Sequence, residues 1–207
     1  MSEGNDQLSP ESVQVRVEEP RRSCPKGSTA AAFHGVSQEA LTYYEKLVVV
    51  HHNSNSSLSL HFNLRQRSHC ALVYYEDANS DEQELAYADL LYCYSLHGGD
   101  VYIEHGYLFD TEDLEQHPMG QVFLESCQLA NNELVDSPGI YHSLATVIEG
   151  EFWLTSRKRA QISEHSTGHK DNTTLIFFCN KAWDRDTGQR ICVSRHKVKA
   201  AKQFVRG

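Results

Sequence analysis

From residue 37 onward the hydrophobic pattern is mostly that of strands. Leu58, Leu60, Phe62 and Leu64 alternate with other residues at period two, the signature of a half-buried strand. Residues 47–50 form a short apolar run that reads as a buried strand, and 70–75 form another. Together, 47–76 is expected to be a three-stranded meander with polar turns at 53–57 and 65–68. Ahead of it, Ser37 can cap a short helix with Ala40, Leu41 and Tyr44 on one face. Residues 81–96 follow an acidic start with Leu85, Ala88, Leu91 or Tyr92, and Ser95 at helical spacing, and Gly98-Gly99 supplies a stop. This is the best predicted helix of the chain.

Farther on, 100–108 reads as a strand. Thr111 opens a helical turn that Pro118 interrupts and 119–130 resumes, and 131–139 reads as loop. Residues 144–154 read as strand, bulge or bend around Glu149-Gly150-Glu151, then strand. Residues 173–179 and 190–193 are expected to form a hairpin across 183–188. The predicted class is α+β, dominated by antiparallel sheet. A small OB-like barrel with inserted helices fits this order, and so does an open sheet with helices on one side.

The first 36 residues contrast with the rest. They combine Ser9-Pro10, Arg21-Arg22 and a run of small residues with almost no bulky apolar side chains, so 1–36 is expected to be a flexible tail. Within it Val13, Val15 and Val17 alternate with polar residues, a pattern suited to a strand added to a sheet edge. The expected division is tail 1–36, a single domain 37–196, and a basic segment 197–207 with the composition of a terminal helix.

Composition narrows the class. The chain has 207 residues, of which 40% are hydrophobic and 23% charged, enough for one substantial core. Its longest apolar runs are far short of the roughly 20 residues a membrane-spanning helix requires. The N-terminus lacks the apolar centre of a secretory signal, so the expected location is intracellular, nuclear or cytoplasmic, with no membrane partner. The six cysteines include no C-x-x-C pair and are expected to be free thiols, mostly buried.

Charge is distributed very unevenly. Residues 33–155 hold nineteen acidic side chains against Lys46, Arg65 and Arg67, whereas 156–207 hold twelve basic against four acidic. The middle should repel nucleic acid and attract basic partners, and the C-terminal quarter could engage phosphates. Alternatively, the basic end packs against the acidic body of the same chain.

Candidate chemistry is sparse. His165 and His169, with Cys179 and Cys192, have the residue types of a tetrahedral zinc site. However, their order is unusual and the two histidines flank a glycine-containing loop, so no metal is expected. Asp184-x-Asp186-Thr187 has the spacing of a phosphotransferase loop, but too few residues follow it, and hairpin-turn chemistry accounts for it. No G-x-S-x-G, P-loop, dinucleotide fingerprint or H-E-x-x-H occurs, and no cofactor is expected.

The remaining constellation is aromatic and basic: Trp153, Arg157, Lys158, Arg159, Lys181, Trp183, Arg185, Arg195 and Lys197. Flat side chains for base stacking and cations along a phosphate backbone are what a single-strand binder needs. Arg157-Lys158-Arg159 is also a short import-like cluster. The expected function is a non-enzymatic subunit of an intracellular, nuclear complex. Its acidic body would bind a partner protein, and its basic aromatic third single-stranded DNA or RNA. OB-like subunits of DNA-end or telomere-capping complexes offer an analogy of architecture and charge. The alternatives are a pure protein-protein adaptor and an unrecognised hydrolase or metal enzyme.

Overall fold

The structure, a computed structural model, describes residues 13–52, 54–62, 68–75, 83–130, 133–137, 139–155, 176–183, 186 and 188–191. In chain order the elements begin with β1 (Val13–Pro20), α1 (Ala30–His34), a 3-10 turn (Gln38–Ala40), β2 (Leu41–His51), β3 (Ser56–His61) and β4 (His69–Tyr75). They continue with β5 (Gln83–Leu96), β6 (Val101–Phe109), α2 (Thr111–Gln116), α3 (Pro118–Ser126), β7 (Glu133–Asp136) and β8 (Tyr141–Leu144). A second 3-10 turn (Ala145–Val147), β9 (Ile148–Thr155), β10 (Ile176–Trp183) and β11 (Arg190–Ile191) complete the series. The protein is mostly antiparallel sheet with few helices.

The strands form one hydrogen-bonded sheet in the order β1-β2-β5-β4-β9-β10-β7-β6-β8, with β3 beside β2 and β11 beside β10. An additional β5–β6 pairing joins β5, β4, β9, β10, β7 and β6 into a closed ring. β10 runs parallel to both β7 and β9, while the other pairings are antiparallel.

The largest correction concerns 81–96, where the described residues form strand β5 instead of a helix. Ala88 and Leu90 are buried on one face, and after a register shift between Leu90 and Tyr92 so are Cys93 and Ser95. One inserted residue in a period-two pattern imitates helical spacing. Tyr94, buried on the opposite face, makes the imitation more complete.

Other differences follow from pairing. β2 and β3 form the expected hairpin, but β4 pairs with β5 and β9 instead of β3. Behind Ser37 there is only a 3-10 turn before Leu41 enters β2. Residues 133–136, expected as loop, form β7 between β6 and β10. Within the stretch expected as a tail, β1 pairs along β2 from Val13↔His51 to Pro20↔Tyr44, and 30–34 form α1. The alternating valines add a strand to the chain's own sheet edge. The expected terminal helix at 197–206 lies outside the described residues.

The main core packs Leu47, Val49 and Leu60 from the β2–β3 hairpin against Cys70, Leu72, Ala88 and Ile148. A second cluster, Leu108, Leu134 and Phe152, lies among strands of the ring. A third forms where the helices cover the sheet and contains Leu114, Phe123, Val135 and Trp183. Asp110 and Asp113 make a reciprocal capping box that starts α2, and Pro118 occupies the first turn of α3, where its missing N–H costs nothing. The helices approach so closely that a Cβ on Gly120 would stand 2.2 Å from the Leu114 carbonyl oxygen, so only glycine fits there.

Candidate partner-binding site

The pairing of β6 with β8 sets Glu104 opposite His142, Ile103 opposite Ser143 and His105 opposite Tyr141. Paired residues share a face and successive residues alternate, so the two strands build two different polar clusters on opposite sides of the sheet.

On the first side Tyr43, Tyr94, Tyr102 and Glu104 are covered by residues 24–36. Glu104 is fully buried and its carboxylate faces hydroxyls and an amide. It accepts from Ser28 Oγ at 2.6 Å, Thr29 N at 2.9 Å and Thr29 Oγ1 at 3.2 Å. Thr29 Oγ1 also meets His142 Nε2 at 2.9 Å, and His142 Nδ1 meets the Tyr94 hydroxyl, which bonds His34 as well. Burial raises the Glu104 carboxyl above its ordinary range, partly offset by its donors. Burial, with nearby His34, lowers His142 to about 4.

This network does not have the connectivity of an activated nucleophile. There, an imidazole stands between the hydroxyl and the carboxylate so that it can take the proton. Here the Thr29 hydroxyl stands between Glu104 and His142, and the other nitrogen of His142 is held by Tyr94. What the arrangement does is fasten residues 24–36 to the sheet.

On the second side His105 Nε2 bonds Ser143 Oγ at 3.0 Å, Ser143 bonds Tyr74, and the Tyr107 hydroxyl donates to Tyr74. Tyr141 packs on Tyr107 with ring centroids 4.5 Å apart. Burial raises the Tyr107 hydroxyl, with its bond to Tyr74 and then the Glu84 carboxylate adding to the effect, whereas on the opposite face Tyr87, packed on Phe152, is raised by burial and then by Asp110 and Asp113. Asp113 itself is pushed up to about 6 by burial and by Asp110.

The nine residues of the expected nucleic-acid surface fare differently. Trp183, expected at the hairpin loop as a base-stacking side chain, is fully buried in the fold. Phe109, Phe123 and His117 pack around its ring, so its face is not available to a base. Lys181 is also turned inward: its Nζ lies 2.6 Å from Glu133 Oε2 and 3.1 Å from the Gln128 carbonyl oxygen. Trp153 lies in β9, its backbone paired with Ile176. Arg157, Lys158, Arg159, Arg185, Arg195 and Lys197 lie outside the described residues, as do His165, His169 and Cys192. Cys179 donates weakly to the Lys181 carbonyl, and burial pushes its thiol up to about 12. Among the described residues no cluster of three His, Cys, Asp or Glu side chains could hold a metal ion. Their cysteines are free, and no described helix is long and apolar enough to cross a membrane.

Sequence reading passes over Glu104, His105, His142 and Ser143. The available signal is a lone carboxylate inside the apolar strand Val101–Phe109, because an acid there must be buried against donors brought from elsewhere.

No family model matches the chain, and no curated protein does. Among solved structures, the crystal structure of the yeast Rsc2 BAH domain is similar at 11% identity and a TM-score of 0.46. The match covers 72% of this chain and 56% of that one, so it spans little more than half of the solved structure. At this level the comparison assigns no role to any residue here.

Proposed function

We propose that the chain is a non-enzymatic interaction subunit of an intracellular, nuclear complex, and that its acidic, tyrosine-rich body binds a basic segment of a partner protein. One observation carries this reading. Residues 68–155, which supply β4 to β9 with α2 and α3, contain seventeen Asp and Glu and neither Lys nor Arg. Of the cations elsewhere in the described residues, Arg16 and Lys46 pair with Glu18, Arg21 with Glu45 and Lys181 with Glu133, while Arg22, Lys26 and Arg190 are exposed. An anionic surface without its own counter-charges favours cationic partners and speeds their encounter.

The six-stranded ring supports the small-barrel architecture, and the OB-like form belongs to this proposal. Contact with single-stranded DNA or RNA rests on the Arg157-Lys158-Arg159 cluster, Arg185, Arg195 and Lys197, since Trp183 and Lys181 serve the interior. The test is fluorescence anisotropy of the full chain with a lysine-rich peptide, single-stranded DNA and single-stranded RNA. Peptide binding tighter than the binding of either nucleic acid is the expected result. Nucleic-acid binding that Arg157→Glu abolishes, with the peptide unbound, would overturn the order of the two surfaces.

A further inference from the structure

Among the described residues β8 pairs on one side only, with β6, so it is an edge of the sheet. Edges left open are usually guarded by charge, proline or backbone distortion. β1, at the other end of the sheet, is guarded in all three ways, by Arg16 and Glu18, by Pro20, and by Glu19 at φ 58°. β8 reads Tyr-His-Ser-Leu, has none of these, and is guarded only by its length of four residues.

The side chains beside it are unusual as well. Phe33 is 58% exposed and Leu144 42% exposed, two of the four large apolar side chains that stand out from the described surface. Phe33 is held over β8, its ring stacked on His142 at 4.3 Å and 19°. His142 is fixed by Thr29 and Tyr94, so this aromatic platform is pre-organised by the same network that fastens residues 24–36. Leu144 shares the face of His142, two residues along the strand.

Resting on the proposed function, we infer that β8 is the docking edge, and that its occupant is an extended, lysine- or arginine-bearing segment of the partner protein, added as a further strand. Main-chain hydrogen bonds to β8 supply affinity, and alternate apolar side chains of the partner seat over Phe33 and Leu144. The remaining side chains are cationic because residues 68–155, which include β8, hold seventeen Asp and Glu and no Lys or Arg. That charge selects a foreign basic strand and disfavours a second acidic copy of this body.

The experiment is an NMR titration of the isotope-labelled full chain with a synthetic peptide alternating Lys and Val. A control peptide has the amides that would face β8 N-methylated so that they cannot donate to it. Shifts are expected at Tyr141–Leu144 and Phe33, with affinity lost by about tenfold or more for the N-methylated peptide and for Leu144→Lys. Phe33→Ala, a change at an exposed site, should weaken binding without altering the fold. Peptide binding with shifts elsewhere, or indifference to N-methylation and Leu144→Lys, would overturn the β8 assignment while leaving the cationic-partner reading intact. No peptide binding at all would overturn both. Concentration-dependent dimerisation through β8 would give the edge to a second copy. Displacement of the same resonances by Lys197→Glu with Lys199→Glu would give it to the chain's own basic end. Either outcome would reject a foreign occupant.

Discussion

Glu104 and Glu133 lie on paired strands, β6 and β7, and are 0% and 3% exposed, yet they are buried by different chemistry. Glu133 faces an ammonium group from β10, so its ion pair ties two parallel strands together close to their register shift. Glu104 receives hydroxyls and one amide from residues 28 and 29, so its burial is inseparable from the docking of the N-terminal cover. The first arrangement supports the ring, while the second holds an accessory segment in place and with it the platform beside β8.

Breaking the ion pair should have the largest effect. Lys181→Met leaves Glu133 buried without its counter-charge and should cost about 3–5 kcal/mol in urea unfolding. Adding Glu133→Leu should restore most of that loss, to within about 1 kcal/mol, because the desolvation penalty disappears with the pair. Thr29→Val removes a hydroxyl that serves both Glu104 and His142. It should cost about 1–2 kcal/mol and speed amide exchange across 24–36 while leaving the ring protected. Glu104→Gln should cost only about 1 kcal/mol, since the amide oxygen can still accept from Thr29 N and Oγ1 while the new NH2 donates to Ser28 Oγ, whose hydroxyl can turn to Tyr43. If Glu104→Gln proves as damaging as Lys181→Met, the two sites are not different in kind.

Acid sharpens the contrast. His105 and His142 are both held at about 4 by burial, with a neighbouring imidazole adding to the effect, against an ordinary value of 6.5. Between those values the unfolded chain binds protons that the folded chain does not, so their contribution to stability is present above 6.5 and lost as pH falls toward 4. Asp113, raised to about 6, and Glu104, raised by burial, act in the opposite sense, since their protonation favours the fold. Urea midpoints should fall between about pH 7 and about pH 4.5, and His105→Gln should flatten that fall.

Much of the sheet is legible in the sequence. The alternation at Leu58 and Leu60 and the apolar run at 47–50 become the β2–β3 hairpin, and the acidic start after Asp110 becomes α2. What misleads is local resemblance between unlike causes. The bulge in β5 converts period two into an apparent helical spacing, and four residues are too few to announce β7. Trp183 follows an apolar run and precedes a turn, and only the helices packed over it make it core. The Glu104 network is beyond local reading because its donors lie 75 and 76 residues away, and nothing in 28–29 alone predicts a buried acid for them to meet.

The acidic body, whose residues 68–155 hold no lysine or arginine, is proposed to bind a cationic partner. The most direct test of that binding is the affinity of the full chain for an oligo-lysine peptide over a range of salt concentrations, with oligo-glutamate as control. Binding that weakens steadily as salt rises, with no retention of oligo-glutamate, is the predicted result. Affinity indifferent to salt, or equal for the two peptides, would contradict it.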